Sequence, residues 1–208
     1  MKISYAVTVS NEFDEVIRLI NHLKNYKGDN AEIVVLLDSP KAPKELEEFL
    51  MVCADGKDDF KLIISKFDGD FANWKNYLSL NCKGEWIFQL DADEMIDGDL
   101  MVNLEDILAE NEDVDLFFIP RINTVSGITD NHIKKWGWQI NEAGWINFPD
   151  YQSRLFKNKP GIIWKNKVHE KIFGFEKYST FPTESMFCIK HPKTIERQER
   201  QNSYYETL

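Results

Sequence analysis

Two carboxylates, Asp91 and Asp93, directly follow the apolar run EWIFQL, which is typical of a buried strand. On an extended chain such carboxylates point to the same side, where their repulsion is unfavourable unless a cation lies near them. Mg²⁺ and Mn²⁺ are commonly held by one or two carboxylates together with phosphate oxygens of a substrate. The stretch therefore predicts a divalent-metal site. Asp97 and Asp99, slightly farther on, are predicted to lie in a solvated acidic turn instead, where one or the other caps the next helix.

The first half of the chain alternates segments with the patterns of strands and of helices. The predicted strands are ISYAVTV, EIVVLLD, FKLIISKF, EWIFQL and VDLFFIP. Helices are predicted after an N-cap at Ser10 and Asn11, from Pro43 onward, over FANWKNYLSLN and over residues 100–108. This alternation predicts an α/β fold with a mostly parallel central sheet flanked by helices. In open sheets of this kind ligands bind at the carboxyl ends of the strands, which is where Asp91 stands.

The second half of the chain has a different texture. After Pro120 it carries turn residues and scattered tryptophans without a helical period, and then the short predicted strands YQSRLF, GIIWK and SMFCIKH. Residues 194–208 are predicted to form a helix. Since no repeat or Pro/Gly-rich linker interrupts the chain, we expect one domain with an irregular, β-rich carboxyl-terminal half.

The composition excludes some classes of partner. The 208 residues include 35 acidic and 25 basic side chains, a formal net charge of −10, which disfavours binding through nucleic-acid phosphates. The three cysteines have no CxxC spacing and are expected to be reduced core thiols, which favours a cytoplasmic location. We expect neither a signal peptide nor a transmembrane segment.

Several motifs together resemble one enzyme family. The stretch GEWIFQLDADE, preceded by DFANWKN, is similar to the donor-binding core of family 2 glycosyltransferases of the GT-A fold, and most to the branch of lipopolysaccharide-core β-glucosyltransferases. FPDYQSRLFKNKPGIIWKNKVHEKI resembles the downstream signature of that branch. VTVSNE and VVLLDS resemble the family's first strand and its uridine-side aspartate. The resemblance implies a single GT-A-like domain, with a donor-binding half at 1–119 and an acceptor and catalytic half at 120–208.

The resemblance also implies an activity and a donor site. It implies a hexosyltransferase that uses Mn²⁺ or Mg²⁺ and moves a sugar, with inversion, from a nucleotide-diphosphate donor, UDP-sugar favoured, to a hydroxyl of a saccharide or glycan. Residues assigned to the donor are Thr8, Asn11, Asp38, Lys75, Asn76 and Asp91. Those assigned to the metal are Asp91, Asp93, His191 and His169. Lys75 is also readable as a solvated helix lysine, Asn76 as a local cap, and each histidine as a structural residue.

Two carboxylates compete for the role of catalytic base that deprotonates the acceptor. Asp150 occupies the family's place for this residue, although the usual Glu-Asp pair reads Pro149-Asp150, and Glu170 in VHE is the competitor. Arg154 is expected to pair with Asp150 or with a phosphate, or equally to form an ordinary salt bridge of the strand. Candidate aromatic side chains for acceptor stacking are Trp136, Trp138, Trp145 and Trp164, and a place in the core is favoured more for Trp164 than for Trp136 and Trp138.

Other functions stay open at this point. One is a catalytically silent nucleotide- or sugar-binding module of the same fold, favoured by the altered segments LDSP and FPD. A DxD-type phosphatase is less favoured, because its nucleophilic aspartate normally ends the first strand. A sugar nucleotidyltransferase would need a Gly-rich basic loop near the first strand, where VTVSNEFDEV stands. The short acceptor half favours a small soluble acceptor, or a partner protein or oligomer that supplies the rest.

Overall fold

The apolar runs of the first half form strands, and the amphipathic segments between them form helices. The computed structural model describes residues 2–205. Four strands and four helices alternate, as the sequence predicts: β1 Ile3–Val9, α1 Phe13–Tyr26, β2 Glu32–Asp38, α2 Lys44–Ala54, β3 Phe60–Ser65, α3 Phe71–Ser79, β4 Trp86–Asp91 and α4 Gly98–Ala109. Asp97 caps α4 by accepting a hydrogen bond from the backbone N–H of Asp99, which confirms its predicted capping role.

The second half completes the same sheet. Its elements are β5 Leu116–Ser126, α5 Asp130–Trp136, β6 Ile146–Lys157, β7 Ile163–Lys165, β8 Lys171–Phe173, β9 Tyr178–Thr180, a 3₁₀ turn Ser185–Phe187, β10 Ile189–Thr194 and α6 Ile195–Tyr205. The sheet runs β10-β5-β6-β4-β1-β2-β3, with β9 beside β5, and among its described strands only β6 is antiparallel to its neighbours. β7 and β8 pair antiparallel in a separate two-stranded sheet. The predicted mostly parallel α/β domain with a β-rich carboxyl-terminal part is confirmed.

Some local predictions differ from the structure. Glu12, and not Ser10 or Asn11, is the N-cap residue of α1. Residues 130–136 form α5, which at seven residues is too short to show a helical period and begins at a capping box formed by Thr129 and His132. SMFCIKH is not one strand, because its first three residues form the 3₁₀ turn and β10 begins only at Ile189.

Core side chains cover both faces of the sheet, and β2 is therefore buried along its whole length. Its alternate residues Ile33, Val35 and Leu37 pack in one hydrophobic cluster with α1, α2 and α4. Val34 and Leu36 face the other cluster, which contains α3 and the β7–β8 hairpin. The cysteines at 53, 82 and 188 are buried and free, as predicted. Within residues 2–205, no helix has the length and apolarity needed to cross a bilayer.

Asp115 ties together three segments at the start of β5. Its carboxylate accepts hydrogen bonds from the Lys159 ammonium at 3.0 Å and from the backbone N–H groups of Glu176 and Lys177 at 3.1 and 3.4 Å. Burial alone would raise the pKa of Asp115, but these donors and the charge of Lys159 outweigh it and lower the pKa to about 2.

Acid should therefore remove a stabilising contribution from Asp115. Since the folded pKa lies below the unfolded value of about 4, the contribution is complete above about pH 4 and is lost as the pH falls through about 2. We expect Asp115→Asn to lower the free energy of unfolding by on the order of 1–2 kcal/mol at neutral pH, and the gap to wild type to close near pH 2. Urea unfolding over this pH range measures it, with the exposed Asp58→Asn as control. A gap that does not change with pH would contradict the argument.

Candidate active site

A cleft of about 1080 Å³ opens at the carboxyl ends of the parallel strands. Thr8 near the end of β1 pairs in register with Asp91 at the end of β4, and its hydroxyl donates to the Asp91 carboxylate at 3.0 Å. Asp38, the last residue of β2, also lines the cleft. Because neighbouring parallel strands end at the same edge, three polar residues far apart in the chain meet there. The volume suits a small-molecule ligand.

Three neighbouring strands, β10, β5 and β6, form another wall of this cleft. β5, β10 and the part of β6 from Asp150 onward present every second residue to it, as expected from the period of two of an extended chain. The residues are Arg121, Asn123 and Val125 of β5, Asp150, Gln152 and Arg154 of β6, and His191 and Lys193 of β10, and the first two residues of β6, Ile146 and Asn147, also line the cleft. Sequence reasoning missed Arg121, Asn123 and Lys193. The alternation of polar residues in RINTV was the signal that could have found the first two.

Asp91 is held by cations from two distant segments. Its carboxylate lies 2.5 Å from the Arg154 guanidinium and 3.3 Å from the Lys75 ammonium. Arg154 was expected to pair with Asp150, with a phosphate or in an ordinary salt bridge of the strand, and its partners in the structure are Asp91 and Glu94. Burial alone would raise the pKa of Asp91, but the charges of Arg154 and Lys75 hold it well below its usual range. Both carboxylate oxygens of Asp91 are thus engaged by protein groups.

Glu94 is the buried centre of this ion-pair network, and sequence reasoning did not single it out. It is 1% exposed and accepts from Arg154 at 2.8 Å and from Arg121 at 3.0 Å. Its other oxygen accepts from the backbone N–H of Asp91 at 3.0 Å. A buried carboxylate needs such partners, because an unpaired charge in the interior is costly. Glu94 therefore fixes the end of β4 and two arginines at once.

Asp93 has a separate set of partners. The chain turns after Asp91, since the N–H of Glu94 donates to the Asp91 carbonyl, so the predicted extended geometry of the two aspartates is wrong. The Asp93 carboxylate lies 3.4 Å from His191 Nε2, 3.4 Å from Arg197 and 3.8 Å from Lys193. Burial raises the pKa of Asp93, but the contact with His191 and the charges of Lys193 and Arg197 outweigh it and hold it below its ordinary value.

The orientation of His191 follows from its neighbours. Asn123 donates through its amide nitrogen to the Asp150 carboxylate at 2.9 Å, so its amide oxygen faces His191 Nδ1 at 2.7 Å and Nδ1 must carry a proton. In the charged ring, Nε2 then faces Asp93 as a donor, whereas in the neutral ring it presents a lone pair toward Asp93. A nitrogen lone pair and a carboxylate oxygen 3.4 Å apart suit a cation between them.

This arrangement fits a divalent cation only in part. Asp93 and His191 supply two ligands, which suits an ion that takes its remaining ligands from water and substrate phosphate. Asp91 does not fit as a ligand here, because its oxygens are bonded to Arg154, Lys75 and Thr8. Within the described part of the chain, no three His, Cys, Asp or Glu side chains form a ready-made metal site. His169 lines the same cleft.

The structure brings both candidate bases to the same cleft. The Asp150 carboxylate accepts from Arg121 at 2.8 and 3.0 Å, from Asn123 at 2.9 Å and from Gln152 at 2.7 Å. These pairings follow from the sheet, where Arg121 stands opposite Asp150. Burial raises the pKa of Asp150, but Arg121 and the amide donors outweigh it and the pKa is lowered. Glu170 pairs with the Lys75 ammonium at 2.7 Å.

Lys75 and Asn76 have different positions on α3. Lys75 is 3% exposed, lies between Asp91 and Glu170 and approaches the ring of Trp164, so it is not a solvated helix lysine. Asn76 is not among the residues that line the cleft, since its amide bonds the backbone N–H and C=O of Trp164. Trp164 is buried, as predicted.

The opposite end of the cleft carries the residues predicted to meet the nucleoside. Asp38 is buried and accepts from the backbone N–H of Phe67 at 3.0 Å, with the Lys41 ammonium 3.7 Å away. Asn11 lines this end from an exposed position before α1. Trp138 lines the cleft, and its ring centroid lies 4.7 Å from that of Trp136.

The architecture has close counterparts among solved structures. A structure of TarS from S. aureus, residues 1–349 in complex with UDP, superposes with a TM-score of 0.65 at 14% identity, over 92% of this chain and 60% of that one. The same fragment in complex with UDP-GlcNAc gives a TM-score of 0.61 at 13% identity, over 93% and 59%. The fold of this protein, with its cleft at the carboxyl edge of the sheet, is therefore of the GT-A class.

The sequence comparison narrows the class to a family. The model of glycosyl transferase family 2 matches residues 4–196, and the chain belongs to this family. A related protein, an uncharacterized glycosyltransferase of Rickettsia bellii (strain RML369-C), is 29% identical over 113 residues, 54% of this chain and 35% of the relative. The chain thus spans about a third of that relative and about 60% of the TarS fragment. The nearer resemblance to one branch of the family stays a prediction.

Proposed function

We propose that this protein transfers a sugar, with inversion, from a nucleotide-diphosphate donor to a hydroxyl of a saccharide or glycan. The observation that most supports this proposal is one cleft whose lining includes Asp38, Thr8 and the Asp91–Asp93 turn. The same cleft is lined by two further carboxylates, Asp150 and Glu170. Membership of glycosyl transferase family 2 supports the reaction class. The TarS complexes with UDP and UDP-GlcNAc support a UDP-sugar donor, because they have the same fold.

The basic side chains of the cleft support a diphosphate ligand. Among residues 2–205, seven basic and eight acidic side chains line this cleft, so cations are concentrated here in a protein whose net charge is −10. The basic ones are Lys41, Lys75, Arg121, Arg154, Lys193, Arg197 and Arg200. Basic groups in a partly enclosed site attract anions and offset the charge of a diphosphate. The nucleoside would lie toward Asp38 and Asn11, at the ends of β2 and β1.

Asp93 and His191 would hold the Mn²⁺ or Mg²⁺ ion of the reaction, with Asn123 fixing the imidazole. When bound, such an ion neutralises negative charge on the leaving diphosphate. Asp91 has a positioning role instead: it fixes Lys75 and Arg154 at the end of β4.

Asp150 would act as the general base on the acceptor. The acceptor oxygen forms a bond to the anomeric carbon, the bond from that carbon to the diphosphate oxygen breaks, and the hydroxyl proton goes to the carboxylate. Arg121, Asn123 and Gln152 hold the carboxylate in position. Arg121 keeps the Asp150 carboxylate ionised and makes it a weaker base. A weaker base suits a reaction in which the proton of the acceptor hydroxyl is transferred late. Trp138 and Trp136 would form the acceptor platform in the half formed by 120–208.

The alternatives are weakened to different degrees. A phosphatase with Asp91 as nucleophile is disfavoured, since its carboxylate is engaged by Arg154, Lys75 and Thr8. A catalytically silent binding module has the same cleft. Release of UDP from a UDP-sugar by the protein distinguishes an active transferase from that module.

Calorimetric titration with UDP and GDP tests the donor site. We expect UDP to bind in the presence of Mn²⁺ and to bind on the order of tenfold more weakly in EDTA, because an ion held by Asp93 and His191 would offset the negative charge of the phosphates. Asp93→Asn should abolish this metal dependence. Asp99→Asn is the matched control, since Asp99 is an exposed carboxylate at the start of α4.

Two results would contradict the proposal. Absence of binding of either nucleotide under every condition would remove the donor site, and the family membership would then speak for the fold alone. A metal effect that persists in Asp93→Asn would move the ion away from Asp93 and His191.

A further inference from the structure

The carboxyl-terminal helix α6 lies along the cleft and does not extend away from the domain. The residues Arg197, Gln198, Arg200, Gln201 and Tyr204 of α6 all line it. Near its far end, the Lys41 ammonium donates to the Tyr204 hydroxyl at 3.3 Å and lies 4.7 Å from the Tyr204 ring centroid. The helix therefore contacts the cleft on its predicted nucleoside side. At its near end it reaches the Asp91–Asp93 turn.

Arg197 makes this second connection. Its Nη1 lies 2.9 Å from Glu15, and its Nη2 lies 3.1 Å from Glu12 and 3.4 Å from Asp93. Glu12 and Glu15 belong to the beginning of α1, so a single guanidinium joins α6, α1 and the turn after β4. The contact with Asp93 is the longest of the three.

The carboxylates around Arg197 outnumber the cations. Three carboxylates face it, and the nearest other permanent cation is Lys193, 3.8 Å from the Asp93 oxygen that Arg197 also contacts. Burial is the largest influence on Glu12 and raises its pKa. The cluster has acidic groups in excess, so a divalent cation at Asp93 would compete directly for the oxygen that Nη2 contacts.

Competition between a cation and Arg197 for Asp93 points to a role of Arg197 in donor binding. We propose, on the basis of the proposed function, that Arg197 is a donor-binding residue whose Nη2 exchanges Asp93 for the diphosphate of the nucleotide sugar. Glu15 and Glu12 keep the guanidinium in place during the exchange. Guanidinium groups suit phosphate because their N–H groups form a planar fork that matches two oxygens. The helix α6 thereby becomes one wall of the donor site.

The test compares ligands that differ only in phosphate. Binding of uridine, UMP and UDP with Mn²⁺ is measured for wild type, Arg197→Gln and Arg197→Lys by ligand-observed NMR and calorimetry. We expect Arg197→Gln to weaken UDP binding on the order of 10- to 100-fold while uridine binding stays unchanged. Arg197→Lys should recover part of the loss, since it keeps the charge without the fork. Arg18→Gln is the matched control, because Arg18 is an exposed arginine of α1 away from the cleft.

Each other outcome overturns the proposal in a recognisable way. Equal weakening of uridine and UDP in Arg197→Gln would make Arg197 a structural link of α6 and not a diphosphate ligand. Unchanged UDP binding in Arg197→Gln would remove it from the donor site while leaving the proposed function intact. If wild type binds none of the three ligands, the proposed function fails together with this inference.

Discussion

Replacing Asp150 with Asn is expected to slow sugar transfer by roughly two to four orders of magnitude and to leave UDP binding within a few-fold of wild type. The amide keeps the size of the side chain and can still accept from Arg121, but it cannot take the proton of the acceptor hydroxyl. Single-turnover transfer rates measure the loss, and calorimetry with UDP measures the retained binding.

Glu170→Gln is the matched comparison for Asp150→Asn, since both carboxylates line the cleft and both pair with a cation. A larger rate loss in Glu170→Gln than in Asp150→Asn would reverse the assignment of the base. The pH profile is an independent readout. Because the pKa of Asp150 is lowered, kcat/KM should stay flat as the pH falls toward about 4. A fall in kcat/KM near pH 6 would indicate a different group.

Replacing Arg154 with Met is expected to lower the free energy of unfolding by about 3–5 kcal/mol. The substitution leaves the buried Glu94 with Arg121 alone and Asp91 with Lys75 alone. A carboxylate that loses one of its two cations in the interior has its desolvation penalty only partly compensated, and such losses are large beside a total stability of about 5–15 kcal/mol. Urea unfolding at neutral pH measures the change.

Lys44→Met is the control for this loss of charge, because Lys44 pairs with Glu48 on the exposed face of α2 and surface pairs contribute little. Adding Glu94→Gln to Arg154→Met should recover part of the stability, since it removes a buried charge that then has only Arg121 as a cationic partner. If Arg154→Met changes the stability no more than Lys44→Met does, the ion pairs of Glu94 and Asp91 do not hold the end of β4.

Much of the fold could be predicted from local patterns, and the exceptions have physical reasons. The strands β1, β2 and β4 are apolar runs because both of their faces are buried, so they are visible in any window of the sequence. The edge strand β3 is only partly buried. The pattern predicts β5 only as far as Pro120, a residue that interrupts it, yet the strand continues to Ser126 because it pairs with β6 as far as Asn123 and with β10 as far as Ser126. α5 has seven residues and buries none of them, so it leaves no apolar stripe to find.

The chain alone therefore determined an alternating α/β domain of family 2 type, with acidic residues at the strand ends Asp38 and Asp91, because strand burial and strand ends are local properties. Only the tertiary structure decided what those acids contact. Arg154 is 63 positions from Asp91, and a carboxylate can equally bind a metal, a cation or a proton. The sheet register makes that choice, since it places β6 against both β4 and β5 and so brings the arginines to the carboxylates.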